Sequence, residues 1–156
     1  MNVTATELVT AFMEALEAKQ FDKAGTYLSD NFQYSGSTPL PLDKDKFISY
    51  SSALATGMPN LSYHFHDIRE VVESLGEGNR VRATIQITGT QTNSFIIVPL
   101  GLPPIPQTNK SVLLPEEHWD YAVKGDTIAF IRVENVSGGG IGGILQQLGI
   151  DIPFAQ

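Results

Sequence analysis

The order of hydrophobic patterns along the chain limits the folds that it can adopt. Apolar side chains recur at helical spacing in the first 60 residues, whereas the later segments have the composition and spacing of strands. Helices that precede a run of strands, without alternation of the two, are typical of α+β domains. We therefore expect an α+β fold, a single domain over residues 1–156 in which one curved antiparallel sheet wraps around the N-terminal helices.

Helix-start signals divide the first third of the chain. Thr4-x-x-Glu7 has the form of a capping box and predicts a helix over residues 5–18. A short second helix is predicted over residues 21–28, followed by a brief strand over residues 31–34. A third helix is predicted to begin after Asp43 as its N-cap and to end at Gly57.

Strand patterns dominate the remainder of the chain. They cover residues 61–74, 79–90, 94–100, 111–123 and 127–136. The irregular segment 99–110 combines prolines with leucine and isoleucine and is too apolar for a free linker. We expect it to pack at the mouth of a pocket or against a dimer partner.

Charge and composition exclude several classes of function. The net charge is −7, and the four arginines, Arg69, Arg80, Arg82 and Arg132, are scattered along the sequence. Without a basic stripe, neither nucleic acid nor a membrane surface is an expected partner. The chain has no cysteine, its start lacks the pattern of a secretion signal, and no apolar run reaches the ~18–20 residues of a membrane span. We expect a soluble, cytoplasmic protein.

A glycine run near the end has the spacing of a dinucleotide-binding turn, Gly138-x-Gly140-x-x-Gly143. That motif also needs a second strand and an acidic residue about 20 positions later. Only 13 residues follow Gly143. We expect no cofactor here, and interpret the glycines as a hinge that leads into a short helix over residues 144–148.

The turn at Gly125-Asp126 predicts which side chains of the last two strands share a face. A two-residue hairpin loop sets Lys124 opposite Thr127, and counting outward pairs Tyr121 with Phe130, Trp119 with Arg132, and Glu117 with Glu134. All these side chains then lie on one face, aromatic near the turn and charged away from it. With a loop one residue longer, Arg132 and Glu134 instead share a face with His118 and Glu116.

The charged end of this face is the candidate catalytic site. A glutamate beside an aromatic wall and an arginine experiences opposing influences on its pKa and can exchange protons near neutral pH. We therefore assign Glu134 as the base, Arg132 as its electrostatic partner and Glu117 as a second carboxyl group. The alternative is an ordinary cross-strand ion pair at a sheet edge or dimer contact.

Other polar side chains are weaker candidates. Tyr34, and after it Tyr50, can present a hydroxyl group into an apolar cavity; the alternative is a core tyrosine whose hydroxyl bonds to backbone or water. His64-x-His66 could form a metal site together with His118, but the spacing fixes no third ligand. We expect no metal.

Five segments in order resemble one family: ALEAKQFDKAGTYLSDNFQYSG, PLDKDKF, GMPNLSYHFHDI, ITGTQTNSF and ILQQLG. Together they resemble the SnoaL-like polyketide cyclases, within the superfamily of nuclear transport factor 2-like folds that also holds ketosteroid isomerases and limonene epoxide hydrolases. The resemblance implies a cone-shaped barrel, a pocket between helices and sheet, and a homodimer through the sheet. It also implies that an aspartate near the end of the last strand acts as acid and base in an aldol closure, without metal or organic cofactor. Here Glu134 is the nearest substitute.

The resemblance leads to three hypotheses of function. The first is a cofactor-independent cyclase or isomerase for a small, mostly apolar carbonyl compound. Its pocket would be lined by the substrate-binding residues Tyr34, Tyr50, Trp119, Tyr121, Phe130 and His118. The second is an epoxide hydrolase in which Glu117, Arg132 and Glu134 activate water. The third is a non-catalytic module for ligand binding or dimerisation.

Overall fold

The computed structural model of the protein describes residues 4–71 and 79–150. The helices are α1 (Ala5–Glu17), α2 (Phe21–Thr26), α3 (Lys44–Gly57) and α4 (Gly140–Gln147). The strands are β1 (Leu28–Ser35), β2 (Leu42–Asp43), β3 (His66–Val71), β4 (Asn79–Ile85), β5 (Thr88–Thr90), β6 (Ser111–Leu113), β7 (Glu117–Lys124) and β8 (Thr127–Val133). No helix in the described ranges is long and apolar enough to cross a membrane.

Side-chain caps set the start of the two long N-terminal helices. The Thr4 hydroxyl accepts a hydrogen bond from the Glu7 amide at 3.1 Å, and the Glu7 carboxylate accepts one from the Thr4 amide at 2.9 Å. This reciprocal pair confirms the predicted capping box. The Asp43 carboxylate accepts from the Lys46 amide at 2.9 Å and confirms the predicted start of α3.

The main sheet has the strand order β2-β1-β8-β7-β4-β3, and β5 pairs with β6 in a separate ribbon. The α+β class is confirmed. The prediction of a wholly antiparallel sheet was wrong for one pair, since β1 and β8 run parallel. These two strands lie at opposite ends of the chain, so no tight turn between them imposes an antiparallel direction.

Helices α1 and α3 cover one face of this sheet, which we call the inner face. Phe12 of α1 makes an edge contact with Tyr121 of β7, at 6.5 Å between ring centroids. Phe47 of α3 packs on Tyr34 of β1 at 4.6 Å. These buried rings belong to the hydrophobic core, which therefore lies between the helices and the inner face.

Strand boundaries differ from the pattern where the backbone cannot continue the ladder. The predicted strand over residues 111–123 is two strands, because Pro115 lies between β6 and β7 and has no amide hydrogen. The segment over residues 79–90 is likewise divided between β4 and β5. β3 begins at His66 rather than residue 61, and the last predicted positions, 72–74, lie outside the described residues.

The predicted strand over residues 94–100 was wrong. The segment pairs only at Phe95, which bridges Ile105, and then turns in a short 3-10 helix at Val98–Leu100. Proline at position 99 cannot extend a ladder. Phe95 and Ile105 are buried in the core, so the apolar segment after residue 99 packs on its own protein.

A buried glutamine holds this segment in place. The Gln91 side-chain oxygen accepts hydrogen bonds from the amide and the hydroxyl of Thr108 at 3.0 and 2.8 Å. Its side-chain nitrogen donates to the carbonyl of Pro106 at 3.2 Å. Gln91 is completely buried, so its own side-chain amide depends on these hydrogen bonds.

Replacing this side chain tests its role. Gln91→Leu keeps the volume but leaves the Thr108 amide unpaired, and we expect the free energy of unfolding to fall by about 2–3 kcal/mol. Gln107→Leu, in the same segment but exposed, is the control and should change it by less than about 0.5 kcal/mol. Urea unfolding followed by circular dichroism measures both. Equal effects of the two substitutions would contradict the role given to Gln91.

Candidate functional site

The last hairpin turns as predicted but changes register after its first two pairs. Lys124 pairs with Thr127 and Val123 with Ile128, which confirms the two-residue loop at Gly125 and Asp126. Beyond these pairs Ala122 lies opposite Phe130, so Ala129 is an extra residue in β8. Such a bulge shifts all later pairs by one position.

This shift reverses the face on which β8 presents its charges. Trp119 pairs with Val133 rather than with Arg132, and Arg132 pairs with Asp120. Trp119 and Tyr121 are buried on the inner face as predicted, whereas Arg132 and Phe130 point to the opposite, outer face. The prediction that Arg132 and Phe130 share a face with Trp119 was wrong.

Glu134 and His118 also lie on the outer side. The His118 ring nitrogen Nδ1 is 3.3 Å from Glu134 Oε1, and the side chains are 42% and 48% exposed. The His118 amide donates to the same oxygen at 3.2 Å. The bulge therefore places Glu134 beside His118. The sequence predicted this arrangement for a hairpin loop that is one residue longer. The predicted pairing of Glu117 with Glu134 on one face was wrong.

Glu117 is the predicted site residue that the structure places inside. It is 2% exposed, and its Oε2 accepts a hydrogen bond from the indole nitrogen of Trp119 at 2.8 Å. Its Oε1 is buried without a hydrogen-bond partner, the one such side-chain atom among the described residues. Burial raises the pKa of this carboxyl group, opposed by the Trp119 hydrogen bond and assisted by the negative charge of Glu134.

Two tyrosine rings lie in the same buried region. Tyr34 lies against Trp119 at 5.7 Å between ring centroids, and Tyr50 lies 6.1 Å from Tyr34. Burial raises the pKa of both phenols, and the nearby charge of Glu117 raises them further, whereas side-chain hydrogen bonds with Ser37 oppose the shift. Both phenols therefore keep their protons at neutral pH and can donate hydrogen bonds.

The glycine run closes over this carboxyl group. A Cβ atom at Gly139 would lie 3.0 Å from Glu117 Oε1, and one at Gly140 would lie 2.8 Å from the Ser37 carbonyl. Gly140 also has a φ of +68°, in the region that favours glycine. The following helix α4 begins at Gly140, four residues earlier than predicted, and buries Ile141 and Ile144. The run therefore serves as a close-packed cover.

An open depression lies outside this cover. Its volume is about 220 Å³, and its lining includes Ser37, Glu134, Val136, Gly139 and Gly140. Glu117 is not among the lining residues, because the backbone of Gly139 lies next to its Oε1. The depression therefore shares Gly139 with the cover over the buried carboxyl group.

The histidines do not gather as a metal site requires. His64 Nε2 contacts the Thr88 hydroxyl at 2.8 Å, while His66 Nε2 lies 3.9 Å from Glu116. In the part of the chain that the structure describes, no group of three histidine, aspartate or glutamate side chains could hold a metal ion. His64 and His66 therefore contact different neighbours.

The raised pKa of Glu117 makes a prediction for stability. The unfolded chain ionises this group more readily than the folded one, so its contribution to stability is present at low pH and is lost as the pH rises above about 4.5. Glu117→Gln does not titrate, and the variant should gain stability relative to the wild type between pH 4 and pH 7. We expect the gain to appear as a higher Tm, at roughly 2–4 °C for each kcal/mol of added stability.

Thermal unfolding over this pH range measures the difference. Glu14→Gln, exposed on α1, makes the same chemical change away from the core and should alter stability by less than about 0.5 kcal/mol. A Glu117→Gln variant that loses stability relative to the wild type as the pH rises would contradict the argument.

Comparison with known proteins agrees with this architecture. A putative polyketide cyclase from Pseudomonas putida superposes with a TM-score of 0.66 at 18% identity, covering 93% of this chain and 98% of the other. A SnoaL-like polyketide cyclase from Agrobacterium tumefaciens gives 0.62 at 18% identity, covering 94% and 99%. A cystatin fold protein from Novosphingobium aromaticivorans gives 0.61 at 17% identity, covering 85% and 98%.

At these identities the structural neighbours establish the fold alone. No curated protein matches the sequence. The family model described as the SnoaL-like domain matches residues 9–136, which is most of the chain. The protein therefore belongs to the SnoaL-like domain family.

Proposed function

We propose that the protein is an acid/base enzyme of cyclase or isomerase type, and that Glu117 transfers the proton. The substrate class is a small, mostly apolar carbonyl compound. The observation that carries the proposal is the buried Glu117 carboxyl group, held through one oxygen by Trp119 while the other has no partner. Polyketide cyclases among the structural neighbours support the same type of chemistry.

The proposed reaction begins with proton abstraction. Because Glu117 is buried beneath Gly139, the cover must open to admit the substrate. Ionised Glu117 then takes a proton from the carbon next to the substrate carbonyl, and the electron pair of the broken C–H bond moves to the carbonyl oxygen to form an enolate. Burial strengthens the carboxylate as a base, because it raises the pKa of the group. The protonated Oε1 can then return the proton to another atom of the same substrate.

The neighbouring hydroxyl groups suit the enolate. Tyr34 and Tyr50 keep their protons at neutral pH and lie in the buried region beside Trp119 and Glu117. A hydrogen bond from a fixed phenol stabilises negative charge more in a buried site than in water. In a cyclase reaction the enolate carbon would attack a second carbonyl group of the substrate, and the resulting alkoxide would take the proton from Glu117.

Trp119 has a positioning role in this proposal. Its indole N–H fixes Oε2 and leaves Oε1 as the oxygen that accepts the proton. The same hydrogen bond favours the ionised carboxylate and so limits how far burial raises the pKa. The tryptophan therefore sets both the direction and the basicity of Glu117.

For epoxide hydrolysis, an arginine must lie between two acidic groups in the same site. Glu117 is buried inside the fold, whereas Arg132 and Glu134 are exposed on its outer side. Because these groups are separated, the structure favours proton transfer by Glu117 alone over activation of water by Glu117, Arg132 and Glu134 together.

Two matched substitutions test the assignment of the base. Glu117→Gln should lower turnover at least about 100-fold, since the amide cannot accept the proton. Glu134→Gln should keep activity within about threefold and move the rising limb of the pH profile to lower pH, because loss of its charge lowers the pKa of Glu117. Deuterium exchange next to the carbonyl of a panel of aryl ketones and β-keto esters, followed by NMR, measures both.

Circular dichroism and Tm establish that both variants are folded. Undiminished exchange in folded Glu117→Gln, or loss of exchange in Glu134→Gln alone, would remove Glu117 as the base. Binding of the ketones without exchange in the wild type would assign the protein to non-catalytic ligand binding.

A further inference from the structure

The outer face of the sheet gathers every arginine of the chain. Cross-strand pairing sets Arg69 opposite Arg82, Arg82 opposite Asp120, and Asp120 opposite Arg132. Arg80 lies two residues from Arg82 and therefore on the same side. We call Arg69, Arg80, Arg82 and Arg132, together with Asp120 and Phe130, the arginine face.

Two of these guanidinium groups share one aromatic ring. Arg80 and Arg132 lie 4.8 and 5.0 Å from the centroid of Phe130. Ala122, between Arg80 and Phe130 in the ladder, is only 1% exposed although it faces outward. The stacked side chains thus form an ordered surface, since cation–π contacts hold the charged groups in place.

Positive and negative groups on this face are unequal in number. Asp120 pairs with Arg82 at 2.8 Å. No described carboxylate forms an ion pair with Arg80 or Arg132. The neighbouring acidic groups, Glu116 and Glu134, lie beside His66 and His118. Among the described residues, the four arginines of this face therefore outnumber the carboxylates of Asp120, Glu116 and Glu134, although the whole chain has a net charge of −7.

The basic residues of this face are arginines and not lysines, which indicates the kind of anion that it binds. The six lysines of the chain are at positions 19, 23, 44, 46, 110 and 124, and of these only Lys124 belongs to the central strands of the main sheet. Arginine binds carboxylates through two parallel hydrogen bonds, which lysine cannot do. A surface built from arginine on an aromatic ring suits carboxylate groups at fixed positions.

We propose that the arginine face binds a short acidic segment of another protein. The row from Arg69 to Arg132 crosses four adjacent strands, a span of about 14 Å that matches four or five residues of extended peptide. A depression of about 440 Å³ beside Phe130, lined by Asn31, Gln33 and Thr127 among others, provides hydrogen-bonding groups for its backbone.

Other occupants fit this surface less well. A second copy packed on the same face by two-fold symmetry would bring the arginines of both chains together, and they would outnumber the nearby carboxylates of Asp120, Glu116 and Glu134. A phosphate backbone needs a continuous basic track, whereas Glu116 and Glu134 adjoin this face and the whole chain is acidic.

The test measures binding of a fluorescein-labelled peptide of ten glutamates to the full chain by fluorescence anisotropy. We expect saturable binding that weakens between about 50 and 300 mM NaCl. Arg80→Gln and Arg132→Gln should each weaken it about three- to tenfold. Lys46→Gln, exposed on α3, makes the same change of charge and should leave the affinity within about twofold.

Three comparisons can overturn the proposal. A labelled single-stranded oligonucleotide of ten thymidines that binds more tightly than the peptide would assign the face to nucleic acid. Sedimentation showing a wild-type dimer that Arg132→Gln dissociates would assign it to a second copy. Absence of peptide binding at low salt, or equal weakening by Lys46→Gln, would reject a specific acidic site. None of these outcomes bears on Glu117, which lies inside the fold.

Discussion

One extra residue in β8 determines which side of the sheet each charged side chain of the last hairpin occupies. Because Ala129 has no partner, every pair beyond Val123 and Ile128 is displaced by one position. Trp119 therefore meets Val133 inside the fold, while Arg132 meets Asp120 outside it. Without this bulge, Arg132 would be opposite Trp119, and its guanidinium group would enter the core at a high cost in desolvation.

The bulge also explains why Glu117 is buried and Glu134 is not. Glu117 stays on the inner side with Trp119, whereas Glu134 stays half-exposed beside His118. A buried carboxyl oxygen without a partner is costly for stability, and proteins retain such groups chiefly where they have a role. Gly139 covers this carboxyl group closely, and the phenols of Tyr34 and Tyr50 lie in the same buried region.

Local signals in the sequence predicted much of the fold. The caps at Thr4 and Asp43 and the loop at Gly125 each depend on a few adjacent residues, and the structure confirms all three. The register beyond the loop could not be predicted, because alanine at position 129 carries no mark of a bulge. The parallel pairing of β1 with β8 likewise depends on the whole topology.

Part of the proposed site could be selected from the sequence. Sequence reasoning selected Glu117, Trp119, Tyr34 and Tyr50, which the structure gathers, but assigned the main role to Glu134 because of its place near the end of the last strand. The arginines appear scattered in the sequence because they belong to three strands, and only cross-strand pairing brings them to one face. The sequence pattern therefore could not predict the contacts between residues that are far apart in the chain.

The ionisation of Glu117 is the property on which the proposed chemistry depends. Carbon-13 NMR titration of the glutamate carboxyl groups, with the Glu117 resonance assigned by its absence in Glu117→Gln, measures its pKa directly. The structure predicts a value above 4.5 in the wild type, and a higher value still in Trp119→Phe, which removes the hydrogen bond that favours ionisation. A Glu117 resonance that titrates at or below 4.5 in the folded protein would contradict the account.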